Sequence, residues 1–180
     1  MREVILIKTG EIALKGLNRG SFEDILVKNI RWRLKPFGKF EIQRAQSAIT
    51  LQPLSDDIDL DEVCEAVGKI FGIAAYSRAL VTEKDFETIR RDAVVYLESA
   101  MEDIRTFKVE AKRSDKRFPY TSPEISAELG GDLLQAYPHL KVDVRHPDMT
   151  VMVEIRDYAA YIHGPQIEGA GGLPVSSSGQ

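Results

Sequence analysis

The sequence has 180 residues, 43% of them hydrophobic and 29% charged, with a single cysteine and a formal net charge of −4. These values exclude a disordered chain, a disulfide scaffold and a cysteine-rich zinc or iron–sulfur site, and no apolar run approaches the roughly 18 residues needed to span a bilayer. The length suits one ordinary domain or two small ones, and a start without signal-peptide character makes the expected location cytoplasmic, with no membrane partner.

The net charge hides a pattern. Residues 1–50 carry 10 Lys and Arg against 5 Asp and Glu, residues 51–104 carry 5 against 13, residues 105–120 carry 6 against 2, and residues 121–180 carry 3 against 8. Two basic regions in an acidic background suit a localised phosphate-binding surface; solvated faces of no further purpose are the other reading.

In chain order, EVILIKTG (3–10) reads as a buried strand and GEIALKGLNRG as a glycine-punctuated turn. Lys15, Asn18 and Arg19 line that turn, whose glycines fit neither dinucleotide nor phosphate-loop spacing. Ser21, with Asp24 three residues on, can cap a helix whose Phe22, Leu26, Ile30 and Leu34 recur every four residues, leaving Lys28, Arg31 and Lys35 on another side. Two short strands follow, KFEIQRAQ and SAITLQ, then a helix with Leu60, Val63, Cys64, Val67, Ile70 and Phe71 in one stripe and an acidic start, and then a fourth strand, IAAYSRALV. The order is βαββαβ, which predicts a ferredoxin-like sandwich within an α+β fold. A second unit opens with an amphipathic helix over residues 85–102 and the strand FKVEA; the strands KVDVR, MTVMVEIRD and YAAYIH complete a small α/β sheet. The expected domains are 1–80 and 81–165, with residues 166–180 a Gly/Ser/Pro-rich linker.

Between FKVEA and its following helix lies KRSDKRFPYTSPE. Lys112, Arg113, Lys116 and Arg117 precede a capping box in which Thr121 and Glu124 exchange hydrogen bonds, with Pro123 in the first turn. Cations leading into a helix start suit phosphate, and Phe118 would add a stacking surface for an unpaired base; alternatively, Phe118 and Pro119 plug the core. The three histidines show no metal-ligand spacing, the serines at 176–178 have no nucleophile-elbow context, and no catalytic constellation is found.

Three stretches, KTGEIALKGLNRGSFE, FKVEAKRSDKRFPYTSPEISAELG and GPQIEGAGGLPVSSSG, resemble in order and separation the N-terminal part of the tRNA 4-thiouridine synthetase family, the tRNA sulfurtransferases also associated with thiamine biosynthesis. The resemblance implies a ferredoxin-like domain followed by a THUMP domain that together hold the tRNA acceptor stem and 3′ CCA end. It assigns tRNA contact to Lys112, Arg113, Lys116, Arg117 and Phe118, and further to Lys15, Asn18 and Arg19, with Pro119, Thr121, Glu124 and Gly130 shaping the loop and helix. It implies no cofactor for these residues. ATP with Mg, adenylation and thiolation of uridine 8, and sulfur delivery by a cysteine desulfurase belong to a catalytic domain whose S-G-G-x-D-S loop this sequence lacks. A homodimer is left open. The alternatives are a stand-alone THUMP RNA-binding adaptor or the RNA-binding part of another tRNA-modifying enzyme.

Overall fold

A computed structural model describes residues 2–10, 19–45 and 48–171. The chain is α+β and divides into two units, one of residues 4–78 with the stretch from 166, the other of residues 79–165 with the first three residues.

In the first unit, β1 (Arg2–Thr9), α1 (Arg19–Leu34), β2 (Phe40–Ala45), β3 (Ala48–Pro53), α2 (Leu60–Val67) and the start of β4 (Ile73–Thr82) follow the expected βαββαβ order. The strands lie in the order β2-β3-β1-β4, with β3 antiparallel to both β1 and β2. Ile5, Ile7, Ile49, Leu51 and Ile73 from the sheet meet Leu26, Ile30 and Leu34 of α1 and Leu60, Val63 and Val67 of α2 in one core. Cys64 borders that core half-buried, while Phe71, expected in the same stripe, is 49% exposed because the helix ends before it. Ser21 does not cap α1: the helix starts at Arg19, and Asp24 instead pairs with Arg44 of β2 at 2.7 Å.

The stretch from 166, expected as linker, contributes strand β9 (Ile167–Gly171), antiparallel to residues 73–76 of β4. Its composition concealed this, because the strand is held by backbone pairing rather than side-chain burial. Glycine permits it: a Cβ on Gly169 would run into the carbonyl oxygen of Ile73.

In the second unit, residues 80–82 of β4 pair with β8 (Ala160–His163), giving the order β4-β8-β7-β5-β6 with β5 (Thr106–Arg113), β6 (Lys141–Val142) and β7 (Met149–Ile155). The β5–β7 and β5–β6 pairs are parallel and the β7–β8 pair is antiparallel. The single helix expected over 85–102 breaks at Leu97 into α3 (Phe86–Tyr96) and α4 (Glu98–Glu102). Those helices and α5 (Ser122–Ala136) bury Ile89, Ala93, Met101, Ile125, Leu129 and Leu133 against Phe107, Val151, Val153 and Ile155. Arg90 ties α3 to α5 through a two-pronged pair with Asp132, at 2.7 and 2.8 Å, which sets the helix that ends the basic loop. No helix among the described residues is long and apolar enough to cross a membrane.

Candidate nucleic-acid interface

The loop from Ser114 to Tyr120 joins β5 to α5 at the end of the sheet. Its backbone is anchored on the neighbouring strand, where Ser114 N–H donates to the carbonyl of Ile155 at 2.8 Å. Its centre is Asp115, 6% exposed, whose Oδ1 accepts both the backbone N–H and the guanidinium Nε of Arg117, each at 3.0 Å. The other oxygen takes the ammonium of Lys84, which also donates to the carbonyl of Asp157 at 2.7 Å. One buried carboxylate therefore joins the β4–α3 connection, the loop and the β7–β8 turn. Hydrogen bonds from Lys84 and then Arg117 hold the Asp115 carboxyl well below the usual carboxylate range, and the same carboxylate raises Arg117.

These contacts decide which cations face solvent. Lys112 and Lys116 are exposed and make no ion pair among the described residues, and Arg117 is 84% exposed with only its Nε engaged by Asp115. Arg113 is half-buried and donates to the Phe118 carbonyl at 3.2 Å, so it closes the loop from inside. Lys15 and Asn18 lie outside the described residues; Arg19 is the first residue of α1.

Phe118 does not offer a stacking face. It is 6% exposed in the core and meets Phe86 edge-on at 6.3 Å, so the loop's aromatic at that position is a plug, as the alternative reading of the sequence had it. The exposed aromatic is Tyr120, two residues on, its ring 4.4 Å from Phe86 and 38% exposed. Tyr158, 56% exposed, stands next to Asp157 on the turn that Lys84 ties to the loop.

The start of α5 is already occupied. Thr121 accepts from Glu124 N–H at 3.3 Å while Glu124 accepts from Thr121 N–H at 2.8 Å, and these bonds hold the Glu124 carboxyl below its ordinary value. The Glu124 carboxylate already takes the Thr121 N–H at this helix start, which lowers its capacity for a further anion. Pro119 is exposed in the loop, and Gly130 sits buried in the middle of α5.

Sequence reasoning missed the buried Asp115 and its partner Lys84, which organise the loop, and the exposed Tyr120 and Tyr158 beside them. The FPY step did contain Tyr120, but nothing local marks which of two aromatics two residues apart turns inward. Lys84 carried no local signal, because its partner lies 31 residues away.

Residues 4–77 match the family described as the ThiI ferredoxin-like domain, and residues 83–163 match the THUMP domain. Among curated relatives, a probable tRNA sulfurtransferase of Acetivibrio thermocellus is 42% identical over 182 residues, and one of Alkaliphilus oremlandii is 42% identical over 183. Each alignment covers the whole of this chain and 46% of the relative, so the chain spans about half the length of these proteins. Of solved structures, a 4-thiouridine synthetase crystallised with RNA and ATP superposes with a TM-score of 0.82 at 33% identity, over 97% of this chain and 44% of that one. A Pyrococcus horikoshii protein superposes with a TM-score of 0.82 at 32% identity, over 96% of this chain and 57% of its own. By its two domains, in this order and at these positions, the chain is a ThiI ferredoxin-like domain followed by a THUMP domain, matched along its length by the tRNA sulfurtransferases.

Proposed function

We propose that this chain is the tRNA-holding part of a tRNA 4-thiouridine synthetase. The observation that carries the reading is the stretch at residues 112–120, where two exposed lysines, an arginine aimed outward by a buried carboxylate and an exposed tyrosine stand together. Unpaired RNA ends are held by cations on phosphates and by aromatic rings under splayed bases, and this loop offers both. The likeness to a synthetase crystallised with RNA supports the same partner.

In this reading the loop takes the 3′ CCA end, with Lys112, Lys116 and Arg117 on phosphates and Tyr120 under a base. Phosphate contact releases counterions, so log K falls by roughly 0.7 per contact for each decade of salt. The chemistry lies in the rest of the longer protein: a catalytic domain using ATP with Mg would adenylate and thiolate uridine 8, with sulfur from a cysteine desulfurase, and would serve thiamine thiazole synthesis where that pathway draws on the same sulfur. The holding domains contribute position, bringing uridine 8 to that domain. The protein acts in the cytoplasm, where its tRNA substrate is found, and nothing in the reading requires more than one copy of the chain.

Fluorescence anisotropy with an acceptor-stem hairpin, with and without its 3′ CCA, tests the proposal at two salt concentrations. The CCA-bearing RNA is expected to bind more tightly, with a steeper salt dependence; equal affinity for both would overturn the assignment of the loop.

A further inference from the structure

The helices of the second unit cover one face of its sheet. Alternation along β7 sends Val151, Val153 and Ile155 to that face and Glu154 to the other. Glu154 lies level with Lys112 of β5 on one side and with Tyr161 of β8 on the other. Paired positions on neighbouring strands share a face, so Lys112 has one carboxylate beside it across the ladder, Glu154, and a second two positions back along its own strand, Glu110.

An exposed lysine between two carboxylates should pair with one of them. Lys112 makes no ion pair with a described residue, because both carboxylates are held elsewhere. Glu110 takes the ammonium of Lys108 at 2.8 Å. Glu154 has a partner for each oxygen: Nη2 of Arg156 donates to Oε1 at 3.0 Å, and Nε2 of His163 lies 2.8 Å from Oε2.

Those two partners are themselves fixed. The Arg156 guanidinium lies over the Tyr161 ring, 4.7 Å from its centre, and Nδ1 of His163 lies 2.9 Å from the carbonyl oxygen of Gly164. Both nitrogens of this buried ring face acceptors, so it donates to both only as the imidazolium, with a proton on each. Apolar residues of similar volume often stabilise a fold as well as a buried ion pair does, so stability alone does not explain the cluster. Deprived of either partner, Glu154 would turn to the cation level with it on the next strand, which is Lys112.

We propose that His163 and Arg156 are positioning residues for the RNA site: by holding both oxygens of Glu154 they keep that carboxylate off Lys112 and leave the Lys112 ammonium for a phosphate. The assignment rests on the reading that the stretch at 112–120 takes the unpaired end of tRNA, and it says how one cation of that stretch is kept available.

Double-variant cycles test it, read by fluorescence anisotropy with an acceptor-stem hairpin bearing 3′ CCA over a series of salt concentrations. His163→Gln is expected to weaken binding and to lower the salt slope by roughly 0.7, the share of one single-strand phosphate contact, equivalent to about fivefold in affinity for each tenfold dilution of salt. Made together with Glu154→Gln, or in a chain already carrying Lys112→Ala, the same change is expected to have little effect on either quantity. Without the carboxylate nothing captures the lysine, and without the lysine there is nothing to capture. Long-range charge or a damaged fold would instead give equal losses in all three backgrounds, and that result would overturn the proposal. So would an unaltered affinity in the single variant, while binding by the parent chain left the tRNA reading standing. No binding by the parent chain would overturn the tRNA reading and this assignment with it. If His163→Gln does not melt cooperatively, Arg156→Gln removes the other partner of Glu154 and goes through the same cycles with the same expectation.

Discussion

The backbone N–H and the guanidinium Nε of Arg117 both donate to Oδ1 of Asp115, so one buried carboxylate shapes the loop and aims an exposed cation. Long-range electrostatics and local geometry then make opposite forecasts for Asp115→Asn. Removing a negative charge beside an RNA site should tighten binding if net charge alone mattered. We expect weaker binding, by about as much as Arg117→Ala produces, with little further loss when the two changes are combined, because they act on the same contact. Melting temperature should also fall, since Lys84 loses its carboxylate. Tighter binding by Asp115→Asn would show that the carboxylate has no positioning role.

Lys116→Ala combined with Arg117→Ala should weaken RNA binding and lower the salt slope by about two, with a melting temperature close to that of the parent chain. Both side chains are exposed, so the fold does not depend on their packing. Salt-dependent anisotropy beside thermal melting separates the two effects.

Phe118→Ala and Tyr120→Ala should fail differently. Phe118 is core, and its loss should cost about 3–5 kcal/mol of stability. Tyr120 covers one side of Phe86 and is open on the other, so Tyr120→Ala should cost about 1 kcal/mol of stability but 1–3 kcal/mol of RNA affinity, the usual range for a stacked base. Denaturant titration and anisotropy, run on both variants, check the assignment. Equal loss of affinity without loss of stability in Phe118→Ala would reverse it.

Glu154 supplies a pH dependence. Burial pushes its carboxyl up, but the 2.8 Å bond from His163 and the 3.0 Å pair with Arg156 outweigh that and bring it down from 4.5 to about 2. A carboxyl whose pKa is lower in the folded state binds its proton more readily when unfolded. Its contribution is therefore complete above about pH 4.5 and is lost as pH falls toward 2, amounting to about 3 kcal/mol. Urea melts across that window should show Glu154→Gln with a shallower acid loss than the parent chain; parallel curves would exclude Glu154 as the source.

Gly130 stands in mid-helix, and a Cβ there meets nothing within 4 Å. Gly130→Ala should raise stability by roughly 0.5–1 kcal/mol through helix propensity, as measured by thermal melting. A loss instead would mean that the space beside it is needed by another group.

Much of the fold was legible because its causes are local. The four-residue recurrence through Leu26, Ile30 and Leu34 and the alternation of β7 are periodicities of single elements, and both appear as buried faces. The capping box of Thr121 and Glu124 spans four residues and formed as read. The start of α1 was misplaced, and β9 was missed, because a strand that relies on main-chain pairing and a close glycine contact leaves no apolar alternation to read.

By itself, the sequence determined the βαββαβ order, the second α/β unit, the basic loop and the domain families, since element type follows from side-chain period and motif from residue identity. Only the tertiary structure decided which charges are free and which aromatic is exposed. Lys84 meets Asp115 across 31 residues, Phe118 turns into the core while Tyr120 stays out, and Trp32 is left open to solvent. Each outcome depends on which groups lie near one another in space, and a competition among neighbours for burial and for partners is settled only when the chain is packed.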